Sequence, residues 1–141
     1  MEHLQVSPDV FKELSYKVLE HIRPHADQYQ AILCPLRGGF FLSYFLNQHL
    51  GLPILYIEIS SYSGKVQKDF QVGLLPELAE GRFLLCDDIY DSGSTIRKIH
   101  SMYPHVDFDT VCLVSKIDVS DVYFGRLVDP AMWVDFYWEV M

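Results

Sequence analysis

The sequence has few of the features that mark membrane proteins, secreted proteins or disulfide-rich proteins. None of its apolar runs approaches the ~20 residues that a membrane-spanning helix needs. Its first residues lack the charged start and apolar stretch of a secretory signal. Its cysteines, Cys34, Cys86 and Cys112, are odd in number, form no Cys-x-x-Cys pair and lie within apolar runs. We therefore expect a cytoplasmic protein with buried, reduced thiols.

Positive charge is also scarce. The chain has 11 Lys and Arg residues against 19 Asp and Glu residues, so its net charge is −8. General electrostatic attraction to nucleic acid is therefore not expected. If such a chain binds an anionic ligand, local cations and a metal ion have to supply the attraction.

Two common nucleotide-binding signatures are missing as well. No GxxxxGK[ST] segment is present, which argues against a P-loop enzyme. A Rossmann oxidoreductase would carry GxGxxG after its first strand, whereas this chain has only Arg37-Gly38-Gly39 there.

The hydrophobic pattern predicts one domain over residues 1–141. Half of the 141 residues are hydrophobic, which is ample for a core. Near-continuous apolar strands alternate with helices, so we expect an α/β fold with a doubly wound, mainly parallel sheet covered on both faces. The predicted helices are 8–29 (ended or bent at Pro24), 40–50 and 96–103, and the predicted strands are 31–36, 53–59, 83–86, 110–115 and 122–128. The polar segment 60–69 is expected to form a mobile loop. Ligands of such folds lie beyond the carboxyl ends of the strands.

The most informative segment is residues 83–95. An apolar run leads into Asp87 and Asp88, a third acid follows at Asp91, and a small-residue turn, Ser92-Gly93-Ser94-Thr95, precedes a predicted helix. The N–H groups at a helix N-terminus and nearby hydroxyls can bind a phosphate. The acids can accept hydrogen bonds from sugar hydroxyls or hold a divalent cation. A ribose 5-phosphate would satisfy both halves. The alternative is an ordinary capped strand-to-helix turn, but capping needs one acid or hydroxyl and this segment has three of each.

This segment resembles the phosphoribosyl diphosphate (PRPP) motif of the type I phosphoribosyltransferases, with Ser92 in place of the first Thr. The resemblance implies the type I phosphoribosyltransferase fold with a small C-terminal hood that binds the base. It implies that Asp87 and Asp88 bind the ribose hydroxyls directly or through Mg²⁺, and that Asp91 belongs to the PRPP site and handles a proton at purine N7. The remaining PRPP-binding residues would be Ser92, Gly93, Ser94 and Thr95. No protein nucleophile is required.

The Arg37-Gly38-Gly39 turn supplies a cation and two unhindered backbone N–H groups. In the resembled family this turn binds the leaving pyrophosphate and often follows a cis peptide, which here would be Leu36–Arg37. The alternative is a plain turn with a surface Arg.

A polar segment follows the second predicted strand. Ser61-Tyr62 resembles the pair that opens the flexible loop of these enzymes, whose closure would keep water from an oxocarbenium-like ribose. Lys68 stands where near relatives have Arg, and the resemblance makes it both a pyrophosphate ligand and a catalytic residue. Lys65 is interpreted as a solvated loop cation.

The C-terminal third resembles that of the bacterial xanthine-guanine phosphoribosyltransferases. The resemblance implies that Lys116 donates to the purine 6-oxo oxygen, that Trp133 stacks on the ring and that the Val134 backbone meets the 2-substituent. A Lys donor suits an oxygen and penalises an exocyclic amine, so 6-oxopurines should be preferred over adenine. A packing role for Trp133 stays open, and Trp138 is expected in the core or at an oligomer contact. The six histidines show no ligand spacing and are interpreted as surface or capping residues.

The expected function is purine salvage: transfer of 5-phosphoribose from PRPP to xanthine, guanine or hypoxanthine, with Mg²⁺ as cofactor and pyrophosphate as the second product. Relatives form homodimers or homotetramers, so a homo-oligomer is expected, with no nucleic-acid or membrane partner. The alternative is a regulatory protein on the same fold that senses PRPP or a nucleotide without turnover.

Overall fold

A computed structural model describes residues 2–63 and 68–140. The strands are β1 (His3–Val6), β2 (Ile32–Leu36), β3 (Ile54–Ser63), β4 (Lys68–Val72), β5 (Gly81–Tyr90), β6 (Val106–Ser115), β7 (Val122–Leu127) and β8 (Trp133–Phe136). The helices are α1 (Pro8–Ile22), α2 (Phe40–Leu50) and α3 (Ser94–Met102), with two 3₁₀ helices at Arg23–Gln28 and Tyr137–Val140. No helix in the described part of the chain is both long enough and apolar enough to cross a bilayer.

A six-stranded sheet in the order β4-β3-β2-β5-β6-β7 forms the body of the protein. Strand β4 is antiparallel to β3, and the other neighbours are parallel. Helices α1 and α2 pack on one face of the sheet, and α3 packs on the other. These observations confirm the predicted doubly wound, mainly parallel α/β fold.

The chain's two ends meet in a second, smaller sheet. Strands β1 and β8 pair in parallel and, with the C-terminal 3₁₀ helix, form a unit that we call the hood. The resemblance implied a C-terminal hood, but its N-terminal strand was not predicted. The reason is that His3-Leu4-Gln5-Val6 is too short and too polar to carry a strand signal.

Helix α1 shows how local sequence sets the element boundaries. Ser7 caps it by accepting from Val10 N at 3.2 Å, and Pro8 occupies the first turn, where its missing N–H costs nothing. The helix ends at Ile22, and the chain continues through Pro24 as a 3₁₀ helix. The predicted end or bend at Pro24 is confirmed.

The sheet opens between β2 and β5 at the carboxyl ends of the strands. Strand β5 pairs with β2 only at Leu84 and Leu85, whereas it pairs with β6 from Gly81 to Tyr90. The two strands therefore separate beyond Leu85. The strand order also reverses here. The strand that follows β2 in the sequence, β3, is added on one side of the β2–β5 pair, whereas β6, which follows β5, is added on the other side. Crevices of this kind are where open α/β sheets bind ligands.

Several predicted boundaries were wrong: β6 begins at Val106 rather than at 110, and two further differences affect the site. Asp87 and Asp88 were expected to follow a strand ending at Cys86, but they lie within β5, because pairing with β6 continues from Asp87–Cys112 to Tyr90–Ser115. Much of the predicted loop 60–69 is instead an antiparallel hairpin, whose ladder runs from Ile59–Val72 to Ser63–Lys68. Cross-strand backbone pairing overrides the polar composition there. Lys65 lies outside the described residues.

A polar cluster ties the opposite edge of the sheet together. The Tyr29 hydroxyl donates to Asp109 Oδ2 at 2.5 Å, and Arg82 donates to both Asp109 oxygens at 3.0 and 3.1 Å. Burial alone would raise the pKa of Asp109, but hydrogen bonds from Arg82 and Tyr29 hold it below its usual value. The Asp109 carboxylate is therefore stabilised in its charged form.

Replacing Asp109 with Asn should lower the free energy of unfolding at pH 7 by about 2–3 kcal/mol, because Tyr29 and Arg82 lose a charged acceptor. Because the folded pKa is depressed, the stabilisation is present above the unfolded pKa of about 4 and is lost as pH falls through the folded pKa. The gap between wild type and variant in urea unfolding should therefore close below about pH 4. Asp107→Asn, at an exposed position of the same strand, is the matched control. A gap that does not change with pH would contradict the assigned charge.

Candidate active site at the β2–β5 crevice

The turn after β2 lies directly against the acids of β5. A Cβ atom added at Gly38 would lie 2.9 Å from both carboxylate oxygens of Asp88 and 3.0 Å from Asp87 Oδ1. A Cβ atom at Gly39 would lie 2.2 Å from the backbone oxygen of Cys86. The Leu36–Arg37 peptide bond is cis, as the resemblance implied. The two glycines thus allow a closeness that any side chain would prevent.

The charged forms of Asp87 and Asp88 are disfavoured in the crevice as it stands. Burial raises the pKa of Asp87 well above its usual range, and the charge of Asp88 raises it further. Burial also raises the pKa of Asp88, with a contribution from the charge of Glu139. Among the side chains that the structure describes, neither acid has an ion-pair partner. A cation or a set of donors placed between them would favour their charged forms.

This arrangement fits Mg²⁺ that is shared with a ligand. In residues 2–63 and 68–140 no group of three or more His, Cys, Asp or Glu side chains could hold a metal alone. Mg²⁺ usually takes one or two carboxylates and completes its shell with water and substrate oxygens. Asp87 and Asp88 offer such a pair beside the Arg37 turn.

A cavity of about 500 Å³ opens over this turn. It is lined by Arg37, Gly38, Phe41, Asp88, Trp138 and Glu139. Trp138 stacks on Phe41 with ring centroids 4.4 Å apart, so the expected packing role is confirmed, and the same residue forms one wall of the cavity. Glu139 was not identified from the sequence. Its only sequence signal was its place directly after Trp138. The C-terminal 3₁₀ helix, which is part of the hood, brings both residues to the wall of the cavity.

A second cavity, of about 200 Å³, is lined by the continuous segment 87–96. Helix α3 begins there at Ser94, and no side chain caps it at Gly93, whose φ is +77°. The backbone N–H of Arg97 is the first to reach a helical acceptor, Gly93 O at 2.9 Å. The guanidinium of Arg97 donates to Ser92 O at 2.9 Å and holds the turn. The hydroxyls and early N–H groups of this turn can therefore receive a phosphate.

Lys116 reaches the same edge from β6. Its backbone N–H donates to Tyr90 O at 2.9 Å, and its ammonium lies 3.7 Å from Asp91 Oδ2. The Lys116 side chain is only 14% exposed, whereas that of Asp91 is 65% exposed. The structure therefore brings together two residues that the sequence predicted for the base site, 25 positions apart.

The remaining base-site candidates lie on the hood. Trp133 is 55% exposed, and its indole N–H donates to Asp135 Oδ1 at 2.9 Å. Its backbone N–H donates to the backbone oxygen of Glu2, the residue just before β1. In a parallel pair, every second residue of a strand forms backbone hydrogen bonds to the neighbouring strand. Trp133 is such a residue in β8, so the backbone groups of the next residue, Val134, point away from β1 toward the open edge of the two-stranded sheet. Those groups are thus available to a ligand.

Three candidates in the hairpin have only their backbones placed. Ser61 pairs with Phe70, Tyr62 with Asp69, and Lys68 with Ser63. Their predicted roles stay predictions, because the positions of their side chains lie outside the described part of the structure.

One histidine differs from the expected surface or capping role. His3 is exposed, as expected, and its Nδ1 atom lies 2.9 Å from Asp135 Oδ2. His100 instead packs against Phe108, with a buried Nε2 atom that has no hydrogen-bond partner among the described residues.

The chain is similar to known proteins over most of its length. A family model for the phosphoribosyl transferase domain matches residues 3–116. The xanthine-guanine phosphoribosyltransferase of Vibrio atlanticus (strain LGP32) is 36% identical over 117 residues, which cover 81% of this chain and 75% of the relative. That of Vibrio vulnificus (strain YJ016) is 33% identical over 120 residues, covering 82% and 75%.

Solved structures agree with the sequence matches. The Helicobacter pylori xanthine-guanine-hypoxanthine phosphoribosyltransferase superposes with a TM-score of 0.78 at 25% identity, covering 99% of this chain and 95% of that one. A purine phosphoribosyltransferase from Pyrococcus horikoshii Ot3 gives a TM-score of 0.80 at 19% identity, covering 98% and 94%, and thus shares the fold.

Proposed function

The chain belongs to the phosphoribosyl transferase domain family, and we propose that it transfers 5-phosphoribose from PRPP to a 6-oxopurine, releasing pyrophosphate. In this reaction the bond between ribose C1 and the diphosphate oxygen breaks, and a bond from C1 to a purine nitrogen forms. We assign the reaction to a single domain over residues 1–141.

The crevice between β2 and β5 carries this proposal. It places a glycine turn against two carboxylates, beside a hydroxyl-rich helix start and a Lys–Asp pair. PRPP has a diphosphate, ribose hydroxyls and a 5-phosphate in that spatial order, so it accounts for the glycine turn, the two carboxylates and the helix start, and the Lys–Asp pair is left for the base.

Each group has an assigned task. Arg37, Gly38 and Gly39 bind the pyrophosphate together with Lys68, which we also assign to catalysis. The turn Ser92, Gly93, Ser94 and Thr95 binds the 5-phosphate. Ser61 and Tyr62 belong to the hairpin that covers the substrate.

Asp87 and Asp88 bind the ribose hydroxyls and hold Mg²⁺, and the cavity position of Glu139 makes it a further candidate ligand. When bound, Mg²⁺ neutralises the charge of the departing pyrophosphate. The raised pKa values of the two acids support this assignment, because a cation would stabilise their charged forms.

The base lies between the hood and the end of β6. Lys116 donates to the 6-oxo oxygen, Trp133 stacks on the ring, and Val134 meets the 2-substituent through its backbone. Asp91 holds the proton at N7, and its proximity to Lys116 supports a shared site.

We also propose a cytoplasmic homodimer or homotetramer. The buried, unpaired cysteines support a reducing compartment.

Exposed aromatic side chains on α2, Phe40 and Tyr44, support burial against another copy. Sedimentation velocity on the purified protein tests the assembly, and a monomer at micromolar concentration would contradict it.

Replacing Lys116 with Ala should raise the KM for guanine by roughly 10- to 100-fold, because the 6-oxo oxygen loses a charged donor. The preference for guanine over adenine should shrink in parallel, while the KM for PRPP should change little. Steady-state kinetics with both bases measures these effects. Lys17→Ala, at an exposed position of α1, is the control. Unchanged base selectivity would remove Lys116 from the base site.

Pyrophosphate release tests the whole proposal. The protein is given PRPP and Mg²⁺ with xanthine, guanine, hypoxanthine, adenine or orotate in turn. We expect turnover with one or more 6-oxopurines and little with adenine or orotate. PRPP binding without turnover of any base would favour the regulatory alternative, for which the relatives offer no support.

A further inference from the structure

A hydrogen-bonded cluster at the outer edge of the hood joins Trp133 to three residues that have no task in the reaction described above: Asp135, Gln5 and His3. Asp135 is at its centre. Its Oδ1 accepts from the indole N–H of Trp133 at 2.9 Å. Its Oδ2 accepts from Gln5 Nε2 at 2.8 Å and lies 2.9 Å from His3 Nδ1. The carboxylate thus links the first strand of the chain to the indole.

The strand register explains how residues so distant in sequence meet. In the parallel β1–β8 pair, His3 lies opposite Trp133 and Gln5 lies opposite Asp135. Side chains alternate between the faces of a strand, so these four side chains share one face. The other face carries Val134 and Phe136, which pack on the core. The cluster therefore follows from the pairing itself.

The bond to Asp135 matters because packing leaves much of the indole free. Trp133 is more than half exposed, whereas the other tryptophan, Trp138, is stacked between Phe41 and Phe136. The hydrogen bond from His3 and those from Trp133 and Gln5 lower the pKa of Asp135, so the acceptor is charged at neutral pH. Hydrogen bonds to a charged acceptor are stronger than neutral ones. Asp135 can therefore fix a ring that its surroundings do not hold.

We propose that Asp135 and Gln5 are positioning residues of the purine site, which hold the indole of Trp133 in the orientation that stacks on the base. This inference rests on the proposed function for its consequence in catalysis. Ordering the ring before the base arrives reduces the entropy lost on binding. The first strand of the chain is then part of the base site, although it touches neither substrate.

Gln5→Met tests the proposal, because it keeps the side-chain length and removes the donor to Asp135. We expect the KM for the base to rise roughly three- to tenfold, with kcat and the KM for PRPP unchanged. Asp135→Asn, which removes the charge, should act in the same direction. Gln28→Met makes the same change at an exposed position of the first 3₁₀ helix and is the control. In a Trp133→Ala background, Gln5→Met should have no further effect on the base KM.

A second readout does not depend on activity. The chain has two tryptophans, so labelling with 5-fluorotryptophan gives two ¹⁹F resonances, which Trp133→Phe assigns. We expect Gln5→Met and Asp135→Asn to shift or broaden the Trp133 resonance and to leave that of Trp138 unchanged.

The two readouts separate the possible failures. An unchanged Trp133 resonance in both variants would overturn the positioning role, whether or not the protein turns over any base. A shifted resonance with an unchanged base KM would also overturn it, since the ring would then be held without serving the base. If no base is turned over by wild type, the proposed function fails, and the resonance still decides whether the cluster holds the ring.

Discussion

Replacing Asp91 with Asn should lower kcat about 10²- to 10⁴-fold, with the KM for PRPP changed by less than about threefold. The size of the effect follows from the assigned role, because a positioned group that accepts or holds a proton in the transition state contributes about that much. Asn keeps the shape and polarity of the side chain but cannot take the proton. Steady-state kinetics with saturating guanine measures the loss.

The structure makes Asp91 a good test of this role. Its side chain is largely exposed in the crevice and pairs with Lys116 at 3.7 Å. A solvent-exposed ion pair contributes little to stability, so Asp91→Asn should fold as well as wild type. Asp118→Asn, an exposed change two residues beyond Lys116, makes the same charge change nearby. If both variants lose kcat equally, local charge rather than proton handling is the cause, and Asp91 loses its assigned role.

Replacing Gly39 with Ala should have the second large effect, here on both folding and binding. The added Cβ would lie 2.2 Å from Cys86 O and 3.1 Å from Pro35 O, which are backbone atoms of two central strands. Neither can move without disturbing the sheet. We expect the free energy of unfolding to fall by about 3 kcal/mol or more. Any fraction that stays folded should have at least tenfold weaker PRPP binding, because the turn has to move away from Asp87 and Asp88.

Gly51→Ala is the matched control for this change. Gly51 ends α2 with φ +72°, but its added Cβ would have no neighbour within 4 Å. The cost there should be only about 1 kcal/mol, from the left-handed backbone. Urea unfolding of both variants and PRPP titration of the folded protein measure these differences. Equal stability losses at Gly39 and Gly51 would contradict the close contact between the turn and β5.

Much of the sheet and part of the crevice could be predicted from the sequence because their signals are local. Helix α2 was predicted with its observed bounds, since an apolar run between Gly39 and Gly51 fixes both ends. The order of acids and hydroxyls from Asp87 to Thr95 also fixes what the segment can bind. Parallel strands then bring their carboxyl ends to one edge of the sheet, which is why Arg37 and Lys116 could be assigned to the same site.

The rest depended on pairing between distant parts of the chain. Strand β1 has no signal of its own and forms because β8 lies beside it. The contact of Asp135 with Gln5 and His3 follows from that register. Glu139 enters the cavity because the hood folds back. The hairpin of β3 and β4 was interpreted as a loop because its residues are polar, although backbone pairing does not require apolar side chains.

The proposed activity is the transfer of phosphoribose from PRPP to a 6-oxopurine. Identification of the products by mass spectrometry tests it most directly, with PRPP carrying ¹³C in its ribose and with guanine, xanthine and hypoxanthine offered together with Mg²⁺. We expect a ¹³C-labelled purine nucleoside 5′-monophosphate, formed in equal amounts with pyrophosphate, and Asp91→Asn should form it about 10²- to 10⁴-fold more slowly. Labelled ribose 5-phosphate without any labelled nucleotide, or unchanged PRPP, would contradict it.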